Sequence, residues 1–234
     1  MDLGLDLDFG FGNKTSKNTG QKAKKEEDLE SQGVKKSRRR TVECTELSQK
    51  YEYRRAFSEV SLLDAMHHQQ LQENHTYNFI AGGDVDSLSY LKVVLDHTDL
   101  DYVLCSTWCM AAEDILQMQE WWKAGKIKHF DTYVGEIFPN QYRVEFRMLR
   151  DFYFEHPECG RYAVFRNHSK IYAGMNKEKD FYFGIQTSAN INTNPRTEQG
   201  SIIIDKGIYD FYKEYFDGII SFDDKEQKEV LGKI

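Results

Sequence analysis

The hydrophobic pattern of the chain changes period as it runs. From residue 76 onward, short apolar runs alternate with stretches whose apolar positions recur every three to four residues. The first pattern fits buried strands and the second fits amphipathic helices. TYNFIAGG, 76–83, predicts a strand ending in two glycines, and Asp84 the N-cap of a helix with Val85, Leu88, Leu91 and Leu95 on one stripe. DYVLCSTW, 101–108, predicts a second buried strand, and MAAEDILQMQEWWKAGK, 110–126, a helix stopped by Gly125. IKHFDTYVGE, 127–136, reads as a third strand and NQYRVEFRMLRDFYFEH, 140–156, as a helix. RYAVFRNHSKIYAGM, 161–175, reads as one long strand, NKEK, 176–179, as a turn, and DFYFGIQTSAN, 180–190, as its hairpin partner. GSIIID, 200–205, is a sixth strand and KGIYDFYKEYFDGII, 206–220, a closing helix. Strand–helix alternation of this kind predicts an α/β domain with a mixed, mostly parallel sheet flanked by helices on both faces.

Around this core, residues 76–222, the pattern weakens. Residues 51–75 contain helix-like stretches and are expected to form a helical lead-in; 223–234 read as a polar C-terminal tail. Residues 1–50 hold few aromatics and a low-complexity run, KNTGQKAKKEEDLESQGVKKSRRR, which cannot bury enough apolar surface to offset its ordering entropy. They read as a disordered charged tail. Within it, KKSRRR, 35–40, is suited either to phosphates or to keeping the tail solvated, and DLGLDLDFGFG resembles a short docking peptide for a partner.

Composition narrows the function classes. The net charge is −7, but it is uneven: residues 1–50 hold eleven basic and nine acidic residues, the rest twenty against twenty-nine. Any nucleic-acid binding must therefore use local patches rather than a global field. No stretch approaches the roughly 20 apolar residues of a membrane span, and the acidic, glycine-rich start lacks the basic region of a signal peptide. The expectation is a cytoplasmic protein with no membrane partner.

Several residue clusters carry less than they suggest. Cys44, Cys105, Cys109 and Cys159 are scattered without a second pair at zinc spacing, so they read as small core residues. His67, His68 and His75 lack a carboxylate or cysteine that completes a metal pattern. Gly82-Gly83 could free amides for a phosphate but lacks a Walker or GxGxxG pattern, so a plain strand-to-helix turn is the better reading. Neither a metal nor a cofactor is implied.

The polar residues that fall where strands should be apolar carry more. His168 and Lys170 stand two apart, as do Ser188 and Asn190 across the expected hairpin. Alternate strand residues share a face, so all four side chains can point into one pocket. Glu198 follows before the next strand. A lysine beside a histidine is tolerated most easily with an anion between them, and the set suits phosphoryl transfer. Lys170 and Asn190 can donate to phosphoryl oxygens. His168 can attack phosphorus as a neutral imidazole, with Glu198 as the candidate acceptor for its other ring nitrogen. Arg161, Arg166 and Arg196 supply charge nearby. The bland alternative is a core histidine, a snorkelling lysine, and a serine and asparagine serving a hairpin.

HSK at 168–170, TSAN at 187–190 and the Arg-Thr-Glu-Gln run at 196–199 together resemble the phospholipase D superfamily. That pattern is His-x-Lys, four residues, Asp, then Ser-x-Asn downstream. Two positions depart from it: Met175 stands where the aspartate is usual, with Asp180 five positions late, and Thr187 stands where glycine is usual. The resemblance implies a phospholipase D-like fold over the core and a metal-independent phosphodiesterase with a histidine nucleophile. Because two His-Lys-Asn sets form one centre in that family and this chain holds a single His-x-Lys, it also implies a homodimer. Single-motif members are similar to small bacterial endonucleases, so nucleic acid, DNA in particular, is the expected substrate. The competing expectations are a catalytically silent nucleic-acid-binding or scaffold protein on the same fold, and a phospholipid phosphodiesterase.

Overall fold

A computed structural model describes residues 50–67, 69–192 and 196–222. The charged N-terminal segment through residue 49, with KKSRRR and Cys44, and residues 223–234 lie outside the described residues, as does His68. Eight strands form one sheet: β1 (Lys50–Ser58), β2 (His75–Asp84), β3 (Tyr102–Thr107), β4 (Phe130–Gly135), β5 (Tyr162–Phe165), β6 (Ile171–Asn176), β7 (Phe181–Thr187) and β8 (Thr197–Ile204). The described helices are α1 (Glu59–His67), α2 (Ser87–His97), α3 (Ala112–Lys123), α4 (Phe138–Gln141), α5 (Arg143–Glu155) and α6 (Lys206–Asp217).

The strands lie in the order β1-β2-β8-β7-β6-β3-β4-β5. The α/β class and the mixed sheet are as expected, but the sheet is not mostly parallel. β1·β2, β3·β4 and β4·β5 are parallel, while β2·β8, β8·β7, β7·β6 and β6·β3 are antiparallel. The reason is connection length. A parallel neighbour needs a crossover of a dozen or more residues. Residues 177–180 join β6 to β7 without room for one, with Asp180 at φ 50° in the turn. The short return to β8 has the same effect. A three-strand antiparallel block is thus inserted between the two parallel halves.

Alternation along each strand sorts the core onto two faces. Val103, Cys105, Val134, Tyr172, Phe183, Ile185, Ile202 and Ile204 face the side covered by α1, α2, α3 and α5. Leu104, Tyr133, Phe165, Ala173 and Ile203 face the other side, covered by Ile208, Tyr209, Tyr212 and Phe216 of α6. Each large apolar side chain fully buried this way contributes on the order of 1.5–3 kcal/mol. Helices therefore cover both faces, as expected. α6 starts where predicted because Asp205 caps it, accepting from Gly207 N at 2.6 Å and Ile208 N at 3.2 Å. α3 ends at Gly125, whose φ of 73° favours a residue without a Cβ.

Three local expectations are corrected. Residues 51–58 are not part of a helical lead-in but belong to β1, a parallel edge strand in register from Lys50↔His75 to Ala56↔Ala81. The aromatic alternation of Tyr51 and Tyr53 outweighs the helical spacing there. Helix α2 is capped by Asp86, not Asp84: Asp86 Oδ1 accepts from Ser89 N at 2.9 Å, and β2 runs on to Asp84. Gly82 and Gly83 are therefore inside a strand rather than at a helix N-terminus. Last, residues 161–175 are two strands. β5 is the sheet edge, β6 lies in the middle, and β3 and β4 separate them.

Candidate active site

That break creates the site. The chain leaves edge strand β5 at Phe165 and must pass the carboxyl ends of β4 and β3 to enter β6 at Ile171. Residues 166–170 make the crossing, and Asn167 pins it. Asn167 is 5% exposed. Its Nδ2 donates to Ser106 Oγ (2.9 Å), Thr107 O (3.0 Å) and Tyr133 O (3.2 Å) at the ends of β3 and β4. Its Oδ1 accepts from Ser169 N (3.0 Å) and Ser169 Oγ (2.7 Å). One amide thus fixes the loop on both sides of His168.

His168 is exposed and Lys170 is buried, 8% exposed. The ammonium donates to His168 O at 2.8 Å and lies at the edge of the imidazole, 3.1 Å from Nδ1 and 3.4 Å from Nε2. The two side chains meet as the spacing suggested, but through a pinned loop and not through the pleat of a strand. Burial pushes the Lys170 ammonium below its ordinary proton affinity, against the opposing influence of Cys109 and Glu198. Among the described residues, no carboxylate lies within ion-pair distance of it.

The second segment arrives from β7. Thr187 N donates to Lys170 O at 3.1 Å, which holds the end of β7 against the His-Lys loop. Ser188 follows; its hydroxyl bonds the carboxylate of Glu198 and accepts from Gln199 N at 3.0 Å. Glu198 therefore sits on Ser188, while the ring of His168 is bonded by Lys170. The expected Glu198–His168 contact is not formed, because β8 presents the carboxylate to the serine beside it. Asn190 lies farther on, with its carbonyl accepting from Ser87 N at 3.2 Å. Its Oδ1 is buried without a hydrogen-bond partner. His168, Lys170 and Ser188 line an open cleft of about 530 Å³ with Ser169, Ile171, Gln186, Thr187 and Tyr212; Asn190 and Glu198 are not in its lining.

The residues around the motif divide. Met175, in the aspartate position, is half-buried at the far end of β6, packed against the α6 face. Asp180 is in the β6–β7 turn, also at that far end, so it does not stand in for the aspartate near His168. Arg161 precedes β5 at the end opposite the loop. Its guanidinium donates to Tyr133 OH (2.7 Å) and Phe216 O (3.0 Å), tying α6 to the sheet. Arg166 and Arg196 are exposed. Cys105, Cys109 and Cys159 are buried. His67 pairs with Asp96 at 2.7 Å, and His75 bonds Glu73 O at 3.0 Å.

Sequence reasoning missed two neighbours of His168. Trp108, just after β3, has its ring centroid 5.4 Å from the imidazole. Gly135, at the end of β4, leaves room for it: a Cβ there would lie 2.6 Å from Trp108 Cδ1. No local signal marks either residue, since both come from strands 30 to 60 residues upstream of the motif. Asn167 lies within the stretch 161–175 that reads as one strand, and nothing in the sequence sets it apart there.

No protein-family model matches the chain, and no curated protein matches it significantly. No helix among the described residues is long and apolar enough to cross a membrane.

Proposed function

We propose that the chain is a metal-independent phosphodiesterase of phospholipase D type acting on DNA. One observation carries the reading: Lys170 holds a buried ammonium with no carboxylate partner among the described residues, against the imidazole of an exposed histidine, on the wall of an open cleft. An uncompensated buried charge is costly, and a bound anion relieves it. A phosphodiester at that point is held by Lys170 and reached by His168. The lone pair of a neutral His168 ring nitrogen forms the P–N bond as the P–O bond to the leaving nucleotide breaks. The leaving oxygen takes a proton from a second imidazolium. Water, giving its proton back to that imidazole, then displaces His168 from phosphorus. Lys170 stabilises the charge on the non-bridging oxygens throughout.

The second imidazole is the His168 of another copy in a two-fold dimer. Glu198 acts through Ser188, fixing the end of β7 against Lys170. A second reading, a catalytically silent DNA-binding protein on the same scaffold, is favoured by a departure from the expected chemistry: His168 is bonded by an ammonium and not by a carboxylate.

The test is hydrolysis of single-stranded DNA, duplex DNA and a phospholipid in EDTA, with wild type beside His168→Ala. DNA cleavage lost in the variant, with a phosphohistidine adduct trapped on acid quench, supports the phosphodiesterase. Salt-sensitive DNA binding that survives the substitution, without cleavage or adduct, selects the silent reading. Cleavage confined to the phospholipid refutes the nucleic-acid substrate.

A further inference from the structure

Trp108 is the neighbour of His168 that the chemistry above does not use. It is half-buried, with one edge against the apolar core. Its position is fixed on two sides. The imidazole lies 5.4 Å away, tilted by 56°. On the other side is Gly135, where a Cβ would come within 2.6 Å of the indole, 2.9 Å of Trp108 O and 3.0 Å of Asn167 O. The indole is thus held by the same strand ends and the same loop that hold His168. It does not line the cleft; the cleft and the indole meet at His168. A phosphodiester centred there sends one substituent into the cleft and the other toward the indole.

We propose that Trp108 is a stacking platform for the nucleobase adjoining the scissile phosphate, and that the substrate is therefore single-stranded DNA. A base paired and stacked within a duplex cannot offer its face to a protein ring, whereas an unpaired base can. A quaternary ammonium headgroup fits the surroundings less well. It needs a cage of aromatic faces, but here a single indole stands beside a cationic Lys170.

This inference rests on the phosphodiesterase reading for its catalytic readout, but its binding readout is independent. Trp108→Ala and Trp108→Phe are compared with wild type in EDTA on a single-stranded oligonucleotide and on one with an abasic nucleotide beside the cleaved linkage. Trp108→Ala raises KM on the intact strand by about 10–100-fold. Trp108→Phe recovers most of the loss, and the abasic strand responds less than about twofold, since it has no base to lose. In parallel, a thymidine oligonucleotide quenches tryptophan emission in wild type and in His168→Ala, and Trp108→Phe removes that quench. Equal KM losses on both strands, or a quench that persists in Trp108→Phe, overturn the platform. If wild type cleaves nothing while the quench is present and depends on Trp108, the catalytic reading falls and the platform stands.

Discussion

Replacing Asn167 separates the loop from the residues it carries. Its side chain has two N–H donors and two acceptor sites, so of the five contacts within 3.2 Å four count at most. At about 1 kcal/mol net for each buried neutral hydrogen bond, Asn167→Ala costs about 4 kcal/mol. It also frees His168 and Lys170, and a misplacement of about 1 Å costs on the order of 10²-fold in rate. Asn167→Asp is the sharper variant, because it keeps the shape and the contact to Ser169. It puts a carboxylate oxygen where an amide donated to Thr107 O and Tyr133 O. Those carbonyls accept only, so the new carboxyl must stay protonated to bond them, and its folded-state pKa lies above the unfolded value. In that case the folded state binds the extra proton, and stability falls as pH rises from the unfolded pKa through the folded one. Urea unfolding of wild type and Asn167→Asp between pH 4 and pH 8, followed by far-ultraviolet circular dichroism, measures this directly. The gap between the two proteins widens with pH. A gap that stays flat or narrows refutes the assignment of the Asn167 amide as donor to the strand ends. A loss below about 0.5 kcal/mol in Asn167→Ala refutes its role as the pin.

Lys170→Met removes a buried ammonium that has no carboxylate partner among the described residues, so it raises unfolding stability by about 1–3 kcal/mol in phosphate-free buffer and, on the proposed chemistry, abolishes turnover. Orthophosphate then raises the Tm of wild type but not of the variant; equal shifts in both argue against an anion at Lys170. Asp114 has its carboxyl pushed up to about 7, by burial first and by the nearby Asp86 second. Its charged form is therefore disfavoured in the fold. Asp114→Asn is more stable than wild type at pH 8, and the difference shrinks as pH falls through 7 and vanishes near the ordinary aspartate range. A difference independent of pH in denaturant titrations refutes that origin.

The parts of the fold that local pattern determines were legible. Helix α6, the β6–β7 hairpin and the fully buried strand β3 follow from period and turn residues close in sequence. What was not legible depends on partners distant in sequence. Tyr162–Phe165 and Ile171–Met175 carry the same strand signature, and nothing between them shows that they occupy different places in the sheet. Only the burial of Asn167 on Ser106, Thr107 and Tyr133 forces the break. The same holds for the site. The approach of His168, Lys170 and Ser188 could be read from spacing, although for the wrong geometric reason. The choice of Glu198 between His168 and Ser188 is set by where β8 places its carboxylate, which no spacing rule states.

The insertion that made the sheet predominantly antiparallel also explains why the chemistry gathers at one end of it. β2, β3, β4 and β5 all finish at the same end. A helix crossover from such an end carries the chain away, which is why ligands in α/β sheets settle in the crevice left where the strand order reverses. Here the reversal is filled by β6, β7 and β8. β6 and β8 begin at that end and β7 finishes there, so the loop into β6 and the return from β7 to β8 are forced together over the end of β3. Thr107 records the meeting: its hydroxyl accepts from Ile191 N at 3.2 Å while its carbonyl accepts from Asn167 at 3.0 Å. The loop with His168 and Lys170 and the segment with Ser188 are thus neighbours by topology, and the residues that follow β3 and end β4 lie beside them. Trp108 and Gly135 occupy those places. On the proposed chemistry, a change that shifts the end of β3, even one remote from the phosphodiester, therefore alters turnover and base stacking together.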